Sequence, residues 1–576
     1  MTSDGPDPTT SDDRPPTEAE APEGRRVSPR RLLGLAALGG ATAAAVGVAV
    51  ATDGGRAAAP GTTRPRRPPA GGSTTTTAPP RATTTVVDGV PLPTSPAVVA
   101  ENAKQGTAWW VTTPQAAGDI EGYADHVSAT AGDTVTLYVS TKSPSFHVEA
   151  YRMGWYQGVG GRLVWQSEPV PGTRQDAPVL VAPTNTVECR WVPSISFPVD
   201  RAWPPGVYLL KLVGTASEQS FVPLCIRDDT SRAAIVVQQG VASWQAYNRW
   251  GGYSLYYGNK GGALTYTHAS GGATYANRAR VVSFDRPYDH DWASGAADLV
   301  GNELPVIFDV ERLGLDVTYW TDLDLHAHPE RLAAHRGLIT LGHDEYWSAA
   351  MRNGAETAVQ QGCNIAFLGA NACYRQIRVQ PSPLGPDRQI VCYKSAAEDP
   401  MTGVDNAVVT VNWDQAPVNN SEAQLVGSTY QDVDAHADMV IADGSHWLLA
   451  GTGLQTGQHL PNVVLGEFDH YVPGSSAPTN VDVVAHSPVP NRGHTFSDVT
   501  WYTATPGGGV FGSGNASWVG QLSNAPLIPS NVLPSAVPGV TPVLLRIMLN
   551  LYGALGNGPA GATHPSTGTW RAAYPG

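Results

Sequence analysis

The chain reads as a multidomain protein in which an all-β sandwich of immunoglobulin or fibronectin type, residues 93–230, precedes a parallel α/β domain with β-rich insertions, residues 231–576. Three observations predict this. Between about Ala97 and Asp228 the apolar residues alternate, with Val135, Leu137 and Val139 set against Thr134, Thr136 and Tyr138, followed by Phe146, Val148 and Ala150. Such a period of two belongs to half-buried strands. From Ala233 the pattern changes to continuous apolar runs separated by helical spacing, the mark of strands buried on both faces. Finally, Gly337–Trp347 runs an apolar strand into His343, Asp344 and Glu345, then a helical pattern over 348–361 with Ser348 as its cap, then a second strand over 364–368. Strand, polar turn, helix and strand form the parallel α/β unit, in which ligands bind beyond the carboxyl ends of strands.

The first 52 residues belong to neither domain. Met1–Gly24 is acidic and proline-rich, and Ser28-Pro29-Arg30-Arg31 precedes a weakly apolar run, Leu32–Ala51. This is the layout of a twin-arginine export signal. Ala49-Val50-Ala51 offers a cleavage site; the alternative is an uncleaved membrane tether over 32–51, since about 20 residues span a bilayer. Either outcome predicts an exported, extracellular or cell-surface protein. Residues 53–92, rich in Pro and Thr, read as a disordered linker.

In the sandwich, Pro204-Pro205-Gly206 turns into the run Val207–Leu212. The aromatic and glycine-rich stretch Tyr151–Gly158 with Gly160–Arg162 is either a packed hairpin or part of a neighbouring site. In the α/β domain strands are expected over 234–237, 280–284, 316–320, 337–341 and 364–368, with helices near 303–314, 329–335 and 348–361. Thr541-Pro542 reads as a cap and first-turn proline ahead of Leu544, Ile547, Met548 and Leu551, an amphipathic helix. Five cysteines leave at least one unpaired: Cys189–Cys225 and Cys373–Cys392 are the candidate pairs, and Cys363 reads as core.

A formal charge of -14 opposes nucleic acid or an anionic membrane surface as the main partner, because both require basic faces. No Cys/His spacing supports structural zinc. Chemistry concentrates instead in loops that leave strand ends on one edge: Trp244–Gly252, Phe284–Asp291, the His343 cluster and Gly369–Tyr374. Their convergence would bring Tyr247, Tyr288, His343, Glu345 and Asn371 to one crevice. Asp344 can instead cap the following helix. Asp289, His290 and Asp291 read as a solvated loop more readily than as a second ion site, and His326, His328 and His335 as surface.

QAYNRWGG at 245, RPY at 286, GHDEYW at 342, GAN at 369, VCYK at 391 and HWLLAGTGL at 446 together resemble the large subunit of N,N-dimethylformamidase and its relatives. The resemblance implies an α/β domain like the class I glutamine amidotransferase fold without its nucleophilic cysteine. It also implies a mononuclear ferric ion held by Tyr247, Tyr288 and Glu345, with His343 and Asn371 beside it. A further catalytic glutamate falls on Glu467, with Asp469 as the alternative. Two phenolates and a carboxylate are hard oxygen donors suited to ferric iron. The expected function is an exported amidohydrolase acting on a small-molecule or glycan-linked amide, compatible with a homo-oligomer. The alternative, motivated by 16 Trp, the sandwich and the spacer, is a non-catalytic surface protein that binds carbohydrate or acts as a scaffold.

Overall fold

Seven strands hydrogen-bond in the order Val317–Thr321, Ile235–Gln239, Gly337–Leu341, Asn364–Leu368, Gly509–Gly512, Phe496–Thr503 and Asp482–Pro488 in the computed structural model, which describes residues 82–108, 118–265, 272–290, 293–504, 507–523, 537 and 539–575. The first five run parallel. The last two join antiparallel at the edge. Ile235–Gln239, Gly337–Leu341 and Asn364–Leu368 are buried at every position, which is why their sequences are continuous rather than alternating. The export segment and most of the spacer fall outside the described residues, and so does Asp291.

Four of the expected strands are present in this sheet, and two of them have the bounds expected. The fifth is a correction. Val281–Ser283 is a strand, but it pairs antiparallel with Gly385–Val391 in a separate sheet. Its three short apolar residues satisfy a buried-strand pattern wherever the partner lies, so the pattern does not choose the sheet.

Ser348 caps Ala349–Gln360 by accepting from the Met351 amide, the role expected of it. Asp344 therefore does not cap that helix; its carboxylate accepts from Gln238 Nε2 at 2.9 Å. The last helix is Val540–Gly556 and begins after Gly539, one residue before the expected cap, so Thr541 is already helical and donates to the Gln521 carbonyl at 2.9 Å. Leu544, Ile547, Met548 and Leu551 are buried as their spacing demands. Asn364 ties this helix to the sheet, donating to the Leu555 carbonyl at 3.0 Å and the Gly558 carbonyl at 2.8 Å. It thereby satisfies carbonyls that the helix end leaves free.

The end of the expected linker is structured. Thr83–Val87 and Val90–Thr94 form a hairpin whose turn, Asp88-Gly89, takes positive φ at both residues. Asp-Gly is the favoured pair for such a turn. The hairpin is held down by Arg546, which donates to the Asp88 carbonyl at 2.9 Å. Thr77–Gly576 packs as one unit, and the buried core running from Tyr151 and Leu209 to Ile235 and Leu338 is continuous.

Within the N-terminal part, Ile120–Ala124, Thr134–Thr141 and Ile195–Pro198 make one antiparallel sheet. Ser145–Met153, Gly161–Gln166, Gly206–Gly214 and Gln219–Ile226 lie in another. Between them lie Val135, Leu137, Val139, Phe146, Val148 and Ala150, the residues the alternation placed inward. Tyr151–Gly158 is the hairpin reading: Ser145–Met153 pairs with Gly161–Gln166, and Arg152 crosses to Glu311 on the helix Leu304–Arg312, Nη2 to Oε1 at 2.6 Å.

All five cysteines are free and buried, so neither candidate pair forms. His335, expected at the surface, is buried with Nδ1 on the Ala233 carbonyl at 2.7 Å, and His326 packs against the Ser348 hydroxyl at 2.8 Å.

Asp482, at the start of the edge strand, holds the C-terminal turn by accepting from the Thr567 and Thr569 amides at 2.9 and 3.0 Å. Burial raises its carboxyl, but the His446 ring and these amides hold it below the ordinary range overall. A lowered carboxyl stabilises the fold above its unfolded value near 3.9 and loses that contribution as the pH falls through the folded value. The expected result is that Asp482→Asn flattens the acid limb of the unfolding profile and raises amide exchange in residues 567–569 at neutral pH, measured by hydrogen–deuterium exchange.

Candidate active site

The strand Ile235–Gln239 passes through Gly240 into the short helix Val241–Tyr247, so the expected loop Trp244–Gly252 begins as helix. That helix sets Trp244 and Tyr247 three residues apart, on one side. Both line a cavity of about 290 Å³ with Asn248, Arg249, Tyr288, Asp298, His343 and Glu467. Ser243 in the same helix accepts from the Glu345 amide at 2.9 Å, fixing the turn that carries the carboxylate.

That turn depends on glycine. Gly342 has φ +56°, and a Cβ on Gly369 would sit 1.7 Å from the Gly342 carbonyl oxygen. Only two glycines let the ends of Gly337–Leu341 and Asn364–Leu368 touch, and this contact brings the His343 and Asn371 turns together.

Tyr288 reaches the cavity although its strand lies outside the central sheet. The reason is Arg286, which is buried and donates to the carbonyls of Trp250 at 2.9 Å, Tyr253 at 2.8 Å and Asn248 at 3.1 Å. Asn248 answers with a bond to the Pro287 carbonyl at 2.9 Å. The RPY and QAYNRWGG segments are thus one polar assembly stapled by a guanidinium.

Glu345 is fully buried and densely contacted. Its Oε2 accepts from Tyr247 at 2.7 Å and Tyr256 at 3.0 Å, while Oε1 accepts from Arg375 Nε at 3.0 Å. His343 Nε2 lies 3.6 Å from Glu345 Oε2 and 2.8 Å from Glu467 Oε2. The second separation is that of an ion pair, but the two groups sit off the axis of a hydrogen bond. Tyr288 makes no hydrogen bond to Glu345 or Tyr247 among the described residues; it shares with Tyr247 the cavity, which Glu345 itself does not line, and its ring is edge-on to Trp244 at 6.1 Å. Asn371 donates its amide to Asp469 Oδ1 at 2.8 Å and keeps its side-chain oxygen buried without a partner. Of the two acids weighed in the GEFD segment, Glu467 faces the cavity and Asp469 holds the GAN turn.

Burial opposes charge on Glu345, but Arg375, Lys394 and His343 bring its carboxyl below the ordinary range. Burial likewise opposes charge on His343, yet the Glu467 carboxylate pushes its imidazolium up to about 10. Tyr247 is driven far above the usual phenol range by burial and by the Glu345 charge, and Tyr288 is raised by burial. Without a cation, both phenols keep their protons.

The sequence reading missed the group behind Glu345. Lys394 donates to Tyr346 at 2.7 Å, Tyr346 donates to Tyr256 at 2.7 Å, and the Tyr256 hydroxyl, which donates to Glu345, stands 2.7 Å from that of Tyr247, a chain of hydroxyls ending on the carboxylate. Tyr346 and Lys394 lie inside the GHDEYW and VCYK motifs, and Arg375 follows GAN closely. A buried carboxylate requires cationic partners, and that requirement was the available signal.

Among the described residues no three His, Cys, Asp or Glu side chains gather as metal ligands. The donor set here is of another kind. Tyr247 and Glu345 already share a proton at 2.7 Å, Tyr288 faces the same space, and Asn371 Oδ1 has no partner. A hard cation replacing that proton fits the oxygen donors and would compensate phenolates that burial alone forbids. Asp289 is buried and accepts from the Arg249 amide at 3.2 Å, a structural bond rather than a second ion site.

No curated protein matches the chain. Among solved structures, the Paenibacillus sp. cycloisomaltooligosaccharide glucanotransferase complexed with cycloisomaltoheptaose is similar at 10% identity over 44% of this chain and 45% of that one, with a TM-score of 0.15. The chain therefore spans less than half of that enzyme, and a likeness so slight carries no argument. The family model described as N,N-dimethylformamidase beta subunit-like, C-terminal, matches residues 147–531, a span holding every segment of the cavity described above. The chain belongs to the N,N-dimethylformamidase beta subunit-like family.

Proposed function

We propose that the protein is an exported, iron-dependent amidohydrolase that cleaves the C–N bond of an amide without an acyl-enzyme. The carrying observation is the contact of Tyr247 with Glu345 Oε2 at 2.7 Å, beside a His343–Glu467 pair at 2.8 Å, where Tyr247, His343 and Glu467 line one cavity. Family membership supports an amidase relation, and iron is what the resemblance implies. Tyr247, Tyr288 and Glu345 would hold the ion, which supplies Lewis acidity toward an amide carbonyl. Glu467 is placed to take a proton from water. His343, charged beside it, is placed to return a proton to the leaving amine, and Asn371 Oδ1 to orient a donor on substrate or water.

The finer fold readings belong here too: an immunoglobulin-type sandwich, supported by two mostly antiparallel sheets around one core, and an amidotransferase-like domain, supported by five parallel strands, several of them followed by helices. Export rests on the Arg30-Arg31 segment alone. No helix of the described residues is long and apolar enough to cross a membrane. The carbohydrate-scaffold alternative loses one motive, because Trp250, Trp347, Trp501 and Trp518 are fully buried.

Purified mature protein is expected to carry stoichiometric iron with a visible phenolate charge-transfer band, and to release amine from formamides until the iron is chelated. Metal analysis finding no iron, or turnover that survives its removal, would sink the proposal.

A further inference from the structure

Resting on the amidohydrolase reading, we infer that the substrate is an amide larger than dimethylformamide bearing a cationic ammonium group, which Asp298 receives inside the cavity lined by His343 and Glu467. Three observations carry this. The first is room. A cavity of about 290 Å³ is close to the small end of pockets that enclose organic ligands. An amide with two methyl groups would leave most of it to water, and a site built for that compound alone gains nothing from the extra volume.

The second is the state of Asp298. It occupies the residue before the helical turn Leu299–Glu303, which continues into Leu304–Arg312. An aspartate there ordinarily turns back to cap the helix. Asp298 makes no such bond. It forms no hydrogen bond or ion pair through its carboxylate among the described residues, and lines the cavity instead. Asn302, one turn further, lines it as well. Burial raises the Asp298 carboxyl against the partial opposition of the His343 charge, and a cation in direct contact would reverse the rise.

The third is the balance of charge on the wall. Three carboxylates, Asp289, Asp298 and Glu467, face two basic groups, Arg249 and His343. Glu467 is matched by His343 at 2.8 Å and Asp289 accepts from a backbone amide. Arg249 does not come within ion-pair distance of Asp298. Asp298 is the carboxylate with no direct partner, since the His343 charge acts on it only from beyond ion-pair distance.

The test uses urea isosteres, which keep the carbonyl and resist hydrolysis. Aminopropylurea and butylurea have the same length and differ in one ammonium. Titration calorimetry on the purified, metal-bearing protein is expected to show aminopropylurea binding about 10-fold more tightly, as for one charge-assisted hydrogen bond. Asp298→Asn should bring the two to near parity with an unchanged melting temperature. Equal binding, tighter binding of butylurea, binding of neither, or a preference that survives Asp298→Asn would each overturn the inference. The wild-type comparison decides the matter even if the variant folds poorly. Amine release from the corresponding formamides is followed separately: a preference among ureas with no release removes the amidase reading, whereas release from both formamides with no preference removes only the ammonium subsite.

Discussion

Glu467→Gln is expected to lower amide turnover by about 10²–10⁴-fold while leaving iron bound, the loss typical of a positioned proton-transfer group. Glu467 touches the cavity and His343 but neither Tyr247 nor Glu345, so removing its charge leaves the donor oxygens in place. Tyr247→Phe should behave oppositely. It deletes the oxygen that meets Glu345 Oε2 at 2.7 Å, and the visible band, the iron content and the turnover should fall together. The pair separates holding the ion from moving the proton, and metal analysis with amine-release kinetics on both variants checks it. Glu467→Gln with lost iron and Tyr247→Phe with retained iron would exchange the two roles and end the assignment. His343 adds a second signature: with Glu467 neutralised its imidazolium loses the partner that pushes it up, so any histidine ionisation in the residual pH–rate profile should appear at lower pH than in the wild type.

Glu311→Ala is expected to destabilise the fold by about 3–5 kcal/mol, the cost of leaving a buried charge unpaired. Glu311 accepts from Arg152 Nη1 and Nη2 at 3.1 and 2.6 Å and from Tyr319 at 2.6 Å, and from Asn102 as well. Arg152 is 2% exposed, so its guanidinium has no water to fall back on. Because the pair joins the strand Ser145–Met153 to the helix Leu304–Arg312, urea unfolding followed by tryptophan fluorescence should show loss of stability or uncoupling of the two parts. Arg152→Met combined with Glu311→Leu should recover much of the loss, since apolar replacement of both partners removes the stranded charge. A double variant no better than the single would show that the contact supplies more than mutual neutralisation.

Local chemistry was legible where the residues' own neighbours determine it. The strands at 337–341 and 364–368, the Ser348 cap, the inward faces of the N-terminal antiparallel strands and the apolar stripe of the last helix all follow from periodicity and side-chain propensity, which act over a few residues. Of the five residues expected at one crevice, Tyr247, Tyr288 and His343 line one cavity together with Glu467, whereas Glu345 and Asn371 are not among the residues that line it. What local pattern left open was long-range partnership. The run at 281–283 has the same apolar character whichever sheet it joins, and only its pairing with Gly385–Val391 decides. The pair Asp88-Gly89 was a hairpin signal hidden inside a Pro/Thr-rich stretch, meaningful once Arg546 and the last helix are there to receive it. Arg375, Tyr256 and Lys394 lie far from Glu345 along the chain, and the need of a buried carboxylate for such partners announces that they exist without naming them. Periodicity thus reports which side of a segment avoids water, while the identity of the group it meets depends on loop closure and on the packing of segments hundreds of residues apart, and only the folded chain fixes that choice.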